Sequence, residues 1–413
     1  MKILLLGRSL PLTRRGGKTT REQRFARQLA QSHRVTLGFV TDDPNPAGAV
    51  SALRDEFGDL EFAVVPRGWR TLASAVSLAT GDSCTLAYAR SSALATRLRD
   101  RLRAESYDLI YVSSSSMIQY ALGVDSAVPV VVDLGDVDSR WWARQASERS
   151  FPGASFYRTE AARLRLAEEA ISRRAACCIV SSEQAARAVK LGQDTAPVII
   201  PNGVDTDYFI PALRLPAAPV VLFLSPLDTE RQVSAAADFC RTVVPAVRRR
   251  VPAARFLVVG SELAPSAQGL ARLAGVEVAS SVSDIRPFLH RATLGVAPLA
   301  AEGERQTSIL EAMCSGLPVI STTHATEGLG VRAGRDLLVE DAPAGCAARV
   351  SELLGSASMR SELGGQASAF VRAQHSWDVI VGQLTQTLES TVQGIDSRGL
   401  GGSDSRLLRA DLA

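Results

Sequence analysis

Lysine is nearly absent from this chain: Lys2, Lys18 and Lys190 are the only three among 46 basic residues, and arginine supplies the rest. Together with abundant alanine this suggests a GC-rich bacterial genome and says nothing of function. Cysteine is sparse too. Cys84, Cys177, Cys178, Cys240, Cys314 and Cys346 form no C-x-x-C pair and have no histidine-rich partner spacing. That argues against structural zinc and a dense disulfide framework, and fits a reducing cytoplasm. No apolar run approaches about 18 residues, and Ile3-Leu4-Leu5-Leu6 is too short for a secretory segment, so membrane contact is expected to be peripheral. Neither sign of charge dominates. The 46 basic and 43 acidic residues leave a formal +3, a balance that does not mark a nucleic-acid binder.

What is present is a chain of 413 residues, 46% hydrophobic and 22% charged, long enough for two domains of ordinary size and too apolar to be disordered throughout. Its first half alternates short aliphatic runs with helical periodicity, the pattern of βαβ units around a parallel sheet. Strands are expected at Lys2–Leu6, Val35–Val40, Glu61–Val65, Leu109–Val112, Val130–Val132, Cys178–Val180 and Val198–Ile200. Helices are expected at Arg21–Gln31, Ala87–Arg103 and Thr159–Arg173. The turn-forming run Pro201-Asn202-Gly203-Val204-Asp205 and Pro211, Pro216 and Pro219 then mark a boundary.

A second alternating series follows. Its strands are expected at Val220–Leu224, Arg255–Val259, Val276–Val278, Leu294–Ala297, Pro318–Ser321 and Leu337–Val339, and its helices at Val233–Arg250, Ser283–Arg291, Gln306–Cys314 and Ala344–Leu354. The fold class is therefore α/β, with two Rossmann-like, doubly wound domains over residues 1–205 and 206–375. A helix over 376–390 is expected to cross back to the first domain, and 391–413 reads as a disordered tail. In such folds ligands bind at the carboxyl ends of parallel strands, here in a cleft shared by both domains.

Three segments carry candidate chemistry. After the first strand, Gly16 and Gly17 let the backbone approach a ligand, and Arg14, Arg15 and Lys18 favour an anion, although the P-loop spacing is absent. The same residues also read as a basic surface turn. Asp133, Asp136 and Asp138 follow the Val130–Val132 strand; acids there either reach a sugar hydroxyl or act as a base, or else cap the helix at Ser139–Ala146. The aspartate pair Asp136 and Asp138 also suggests a metal, but no further ligands accompany it. In the second domain a helix start near Gln306 offers backbone N–H groups, the Thr307 and Ser308 hydroxyls and Arg305 to a diphosphate. Glu311, one turn in, accepts hydrogen bonds from vicinal hydroxyls such as those of a ribose, or is a solvated helix residue.

The junction run Asn202-Gly203-Val204-Asp205-Thr206-Asp207-Tyr208-Phe209, the Val282-Ser283-Asp284-Ile285-Arg286-Pro287 turn, Leu310-Glu311-Ala312-Met313 with Gly316-Leu317-Pro318-Val319, and Ser376-Trp377-Asp378 together resemble retaining glycosyltransferases of the GT-B fold, family 4. More narrowly, Val131-Val132-Asp133 with Asp136-Val137-Asp138-Ser139, the Tyr157, Arg158 and Glu160 segment, and Ser115, Met117, Gln119 and Tyr120 resemble sugar transferases found with exosortase (PEP-CTERM) and exopolysaccharide gene clusters.

The resemblance implies a nucleotide-sugar donor on the C-terminal domain and a saccharide or lipid-linked acceptor on the N-terminal one, used in cell-surface or exopolysaccharide synthesis with retention. It places Asp284 and Ile285 beside the nucleobase, Glu311 at the ribose, and Gln306, Thr307, Ser308 and Ile309 along the donor. Asp136, Asp138, Arg231 and Arg305 are the candidates for chemistry, and Gly16, Gly17 and Lys18 for an acceptor-side or phosphate loop. No metal and no cofactor is expected, since arginines and helix N–H groups can meet the leaving diphosphate. Cytoplasmic localisation is expected, with peripheral contact to the inner face of the membrane through the arginine-rich N-terminal domain. Departures stand out: Gly303, flanked by Glu302 and Glu304, occupies the usual place of a Glu eight residues before Glu311; the basic residue that usually follows the second domain's first strand is displaced, leaving Arg231 the candidate; and against the narrower group Ser308 stands where a Lys is common, three residues before Glu311. They leave open a second reading, a catalytically silent GT-B partner of an active transferase. A GT-B sugar-nucleotide epimerase fits the Trp377 element less well.

Overall fold

The computed structural model describes residues 1–8, 20–123, 127–147, 149–189, 196–212, 218–224, 227, 230–260, 263–298 and 306–399, and only the backbone of Arg231 and of 395–399. The chain divides into two compact units. The first runs to Pro201 and takes up the chain again from Val381; the second is Asn202–Ile380.

The first unit holds a sheet of β1 (Lys2–Gly7), β2 (Arg34–Thr41), β3 (Asp59–Val64), β4 (Leu109–Ser113), β5 (Val130–Gly135), β6 (Cys177–Val180) and β7 (Val198–Ile199). Every pairing is parallel, in the order β3-β2-β1-β4-β5-β6-β7. Strands buried on both faces need apolar side chains throughout, and Ile3, Leu4, Leu5, Leu6, Ile110, Val112 and Val132 are almost wholly buried. The second unit repeats the plan with β8 (Val220–Phe223), β9 (Arg255–Val259), β10 (Val276–Ala279), β11 (Leu294–Ala297), β12 (Val319–Ser321) and β13 (Leu338–Val339), ordered β10-β9-β8-β11-β12-β13. In both sheets the order reverses beside the first strand, so a topological switch point falls between β1 and β4 and between β8 and β11.

Helices depart from the sequence pattern more than strands do. Ala47–Phe57, Arg67–Thr80 and Ala357–Gln374 are helical without having been expected. The single helix expected over Ala87–Arg103 is two, Cys84–Tyr88 and Ser92–Ala104, because Ser83 and Ser91 each cap a start by accepting from Leu86 N and Leu94 N. The helix expected from Ser283 begins at Arg286, where Asp284 accepts the Arg286 N–H at 3.0 Å and Pro287 sets the first turn. The last helix, Trp377–Gly399, runs past residue 390 and corrects the tail expected from 391 over its helical part. Ile380, Leu384 and Leu388 are fully buried at its i, i+4, i+8 positions, and an anchored helix extends cheaply by one hydrogen bond per residue.

One close approach supports the site described below. A Cβ added at Gly364, in the Ala357–Gln374 helix, would collide with the Gly316 carbonyl oxygen. Gly316 itself has φ of 72°, the left-handed conformation that ends the Thr307–Cys314 helix before β12. Gly364→Ala is therefore expected to destabilise the second unit by about 3 kcal/mol, read from urea unfolding. A loss under about 0.5 kcal/mol would contradict the contact.

Candidate functional site

In the first unit the chemistry gathers at the carboxyl ends of β1, β4, β5 and β6, where a doubly wound sheet binds ligands. β5 ends irregularly, with its register against β6 shifting between Asp133 and Gly135. Gly135 and Val137 both take positive φ, 54° and 62°, and Ser114 after β4 has φ of 115°. Positive φ at a β-branched valine and at a serine is strained backbone, held by its surroundings. The irregularity sends Asp133, Asp136 and Asp138 in different directions.

Asp133 is buried and fully engaged. It accepts from Tyr111 Oη at 2.8 Å, Arg21 Nε at 3.0 Å and its own Gly135 N–H at 2.9 Å. Burial first, then the Asp133 charge, holds the Tyr111 phenol well above its ordinary range, so it stays protonated as a donor. Asp136 is exposed and accepts from Ser181 Oγ at the end of β6. Asp138 opens the Asp138–Ser147 helix; burial raises its carboxyl, while Arg8 after β1 and the Ser115 hydroxyl oppose the rise. The helix-capping alternative fails for Asp136, whose side chain turns to β6.

The sequence reading missed Glu168. It lies on the buried face of Gly153–Arg174 with Ala161, Leu164 and Ile171, only 3% exposed. Oε1 accepts from Ser115 Oγ at 2.7 Å and Ser139 N–H at 3.2 Å, and Oε2 has no hydrogen-bond partner among the described residues. Burial pushes its carboxyl up to about 7, the Ser139 and Ser115 bonds hold it down, and Asp138 adds to the rise. The signal available in sequence was a glutamate in register with an apolar helix stripe. Glu160, seven residues earlier than Ala167, is a structural cap: Ser83 Oγ, Cys84 N–H and Thr85 N–H donate to it at 2.6, 2.7 and 2.9 Å. Burial alone would raise its pKa, yet these bonds hold it below the ordinary value.

Glu168 makes a pH prediction. An unfolded glutamate releases its proton near 4.5, whereas the folded protein keeps this one to about 7. Between those values the native state binds the extra proton, so stability falls as pH rises through the window and is flat above it. Glu168→Gln is neutral throughout; it should match the parent at pH 5 and exceed it at pH 8 by about 2 kcal/mol in urea unfolding. Parallel pH curves for the two proteins would contradict the buried-carboxyl assignment.

In the second unit the candidate donor residues lie after β10 and after β11. Asp284 meets Arg286 through Nε at 3.0 Å and Nη2 at 2.7 Å, and accepts from Tyr208 Oη at 3.2 Å. The Arg286 guanidinium stacks 3.7 Å above the Tyr208 ring. The Arg286 bonds hold the Asp284 carboxyl down to about 2, so the cluster stays an ion pair at any working pH. Ile285 is half-buried beside it and packs on the core.

The Thr307–Cys314 helix starts one residue after Gln306. Ile309 N–H and Leu310 N–H both donate to the Gln306 carbonyl at 3.1 Å. The Thr307 and Ser308 N–H groups precede the intrahelical ladder and point out of the helix start. Gln306 turns its side-chain amide to Ala325 and Glu327 carbonyls at 3.1 and 2.6 Å, which pins this helix to the Thr323–Thr326 turn. Ile309 is core, leaving only its backbone to a ligand. Glu311 is buried, so the solvated-face alternative does not hold. Arg305, Gly303, Gly16, Gly17 and Lys18 lie outside the described residues, as does the Arg231 side chain; the Arg231 backbone belongs to the Glu230–Arg250 helix. Among the described residues no three His, Cys, Asp or Glu side chains cluster to hold a metal, and no helix is long and apolar enough to cross a membrane.

Comparison with known proteins agrees with this layout. Residues 16–203 match the family described as "Glycosyl transferase 4-like domain", and residues 218–356 match "Glycosyl transferases group 1". Sucrose-phosphate synthase from Thermosynechococcus elongatus is similar at 17% identity and a TM-score of 0.63, over 95% of this chain and 99% of its own. HepE from Anabaena, solved with UDP and glucose, is similar at 17% identity and a TM-score of 0.57, over 94% and 100%. A TarM variant from S. aureus, solved with fondaparinux, alpha-GlcNAc-glycerol and UDP, is similar at 10% identity and a TM-score of 0.60, over 94% and 99%. At these identities the likeness is one of fold. No curated protein matches the chain.

Proposed function

Because the chain belongs to the glycosyltransferases of GT-B type, we propose that it moves a sugar from a nucleotide-sugar donor to a saccharide or lipid-linked acceptor, with retention, in cell-surface or exopolysaccharide synthesis. The observation that carries this reading is the Thr307–Cys314 helix of the second unit: its start presents N–H groups of Thr307 and Ser308, and a buried Glu311 follows one turn later. A diphosphate suits the helix start, and vicinal ribose hydroxyls suit the carboxylate. The Asp284, Arg286 and Tyr208 cluster supplies a flat face for a nucleobase.

As the anomeric C–O bond to the diphosphate breaks, the sugar takes on oxocarbenium character and negative charge grows on the departing phosphate. Arg231 and Arg305 are assigned to that charge, since a guanidinium meets two phosphate oxygens at once and never loses its own charge. In the first unit exposed Asp136 is assigned to the acceptor hydroxyl. Asp138, half-buried beside the Ser115 hydroxyl, is assigned with it to the chemistry on the acceptor side. The donor is expected to bind without a metal, and the acceptor to be met at the cytoplasmic face of the membrane.

The test is a panel of nucleotide-sugars against the purified protein, read by thermal shift. One donor should raise the melting temperature, because a ligand held 100-fold above its Kd stabilises by about 2.7 kcal/mol. Arg231→Ala and Arg305→Ala should then depress kcat more than they raise KM. A donor that binds but is never consumed favours the silent-partner reading, which rests on Gly303 and Ser308 standing where the family resemblance expects Glu and Lys.

A further inference from the structure

The Arg67–Thr80 helix is built inside out. Its buried positions are polar: Arg70 and Ser77, with Ser74 half-buried. Arg70 Nε donates to the Tyr88 carbonyl at 2.9 Å, and its guanidinium stacks 4.3 Å above the Tyr88 ring. Ser74 Oγ donates to the Cys84 carbonyl at 3.1 Å, and Ser77 Oγ to the Ser74 carbonyl at 2.7 Å. The outward stripe is apolar instead. Trp69, Leu72 and Val76, at i, i+3 and i+7, are 67%, 52% and 52% exposed, with Ala75 and Ala79 exposed between and beyond them. A helix with satisfied polar groups inside and large apolar side chains outside has a face made to be covered.

The charge says what covers it. The helix has no acidic residue, and exposed Arg67 opens it. Arg163 closes it by donating to the Ser77 and Leu78 carbonyls at 3.1 and 3.2 Å. Exposed Arg97 donates to the Phe62 carbonyl of β3, the strand that leads into the helix. Asp82, just past the helix, is already paired with Arg90 at 2.9 Å. The first unit, with 381–413 counted in it, holds 29 Lys and Arg against 25 Asp and Glu, whereas the second holds 17 against 18. The excess of positive charge therefore belongs to the unit that carries the apolar stripe. One stripe of a 14-residue helix is smaller than the roughly 800 Å² per partner that a stable protein interface buries. It does suffice for a helix lying in a lipid interface, where partial burial adds to attraction for anionic headgroups and tryptophan is favoured.

We infer that the Trp69, Leu72 and Val76 face docks the protein onto a bilayer surface bearing anionic lipid. The inference rests on the reading that the acceptor is met at a membrane, but vesicle binding needs neither donor nor acceptor, so the two can fail separately. The test is flotation of the full chain with vesicles of neutral phosphatidylcholine alone or with about 30% phosphatidylglycerol. The parent should float with the anionic vesicles, far less with the neutral ones, and less as salt is raised. The triple variant Trp69→Ser, Leu72→Ser and Val76→Ser changes exposed positions only, so its melting curve should match the parent's while its partition falls at least tenfold. Arg67→Gln should lower partition by a smaller factor. Failure of the parent to bind anionic vesicles would overturn the assignment, as would parental binding by the triple variant. So would a dimer of the parent in sedimentation that the triple variant abolishes, since that makes the face a contact between copies.

Discussion

Glu311→Gln is expected to weaken donor binding about a hundredfold and to carry the rate of transfer down with it. Hydrogen bonds to a charged group are worth about 1.5 to 3 kcal/mol each, and a vicinal diol donates two to one carboxylate. Glutamine keeps the shape and takes the charge away. The isosteric change matters because Glu311 is buried on a helix whose Leu310, Ala312 and Met313 are core. An alanine there would open a cavity and mix a folding loss with the binding loss. Calorimetry with the donor identified by the panel gives the affinity, and a thermal melt at the same pH gives the stability. Parental affinity in a folded Glu311→Gln protein would remove this carboxylate from the donor site.

The largest folding effect is expected at Arg21. Its guanidinium pairs with Asp133, both groups largely out of water, and Nη1 also donates to the Pro201 carbonyl at 2.9 Å. Arg21→Met leaves Asp133 charged and buried with Tyr111 as its side-chain donor, a situation that costs about 3 to 5 kcal/mol. Adding Asp133→Asn removes the stranded charge and should recover part of the loss. Urea unfolding of the two variants measures it. A double variant no more stable than Arg21→Met would show that the pair is not what holds these elements.

Most strands are legible in the sequence because a parallel strand covered on both faces must be apolar along its whole length. The Lys2–Gly7 and Leu109–Ser113 runs are of this kind. Helices were less legible for nameable reasons. The Arg67–Thr80 helix turns its polar residues inward, so its periodicity points at no core, and the Ala357–Gln374 helix carries Gly364 and Gly365 in its interior. The split of Ala87–Arg103 turned on two serine caps, each a single hydrogen bond.

The donor side of the site was readable because a helix start after a strand is marked by local residues. The buried acids of the first unit were not. Glu168 and Glu160 look in sequence like solvated helix residues, and only the packing of Gly153–Arg174 shows that they are buried and bonded. Asp133 was read with Asp136 and Asp138 as one group. The shifted register after Asp133 separates them, giving one to an internal ion pair and one to solvent.

The measurement that bears most directly on the account is transfer itself. Purified protein, the donor selected by thermal shift, and a saccharide or lipid-linked acceptor are combined, with release of nucleoside diphosphate and formation of the glycoside followed together. The account predicts acceptor-dependent release, one glycoside formed per diphosphate, the donor's anomeric configuration kept, and activity unaffected by a chelator. Binding of a donor with no glycoside formed from any acceptor would contradict it and leave a silent GT-B protein.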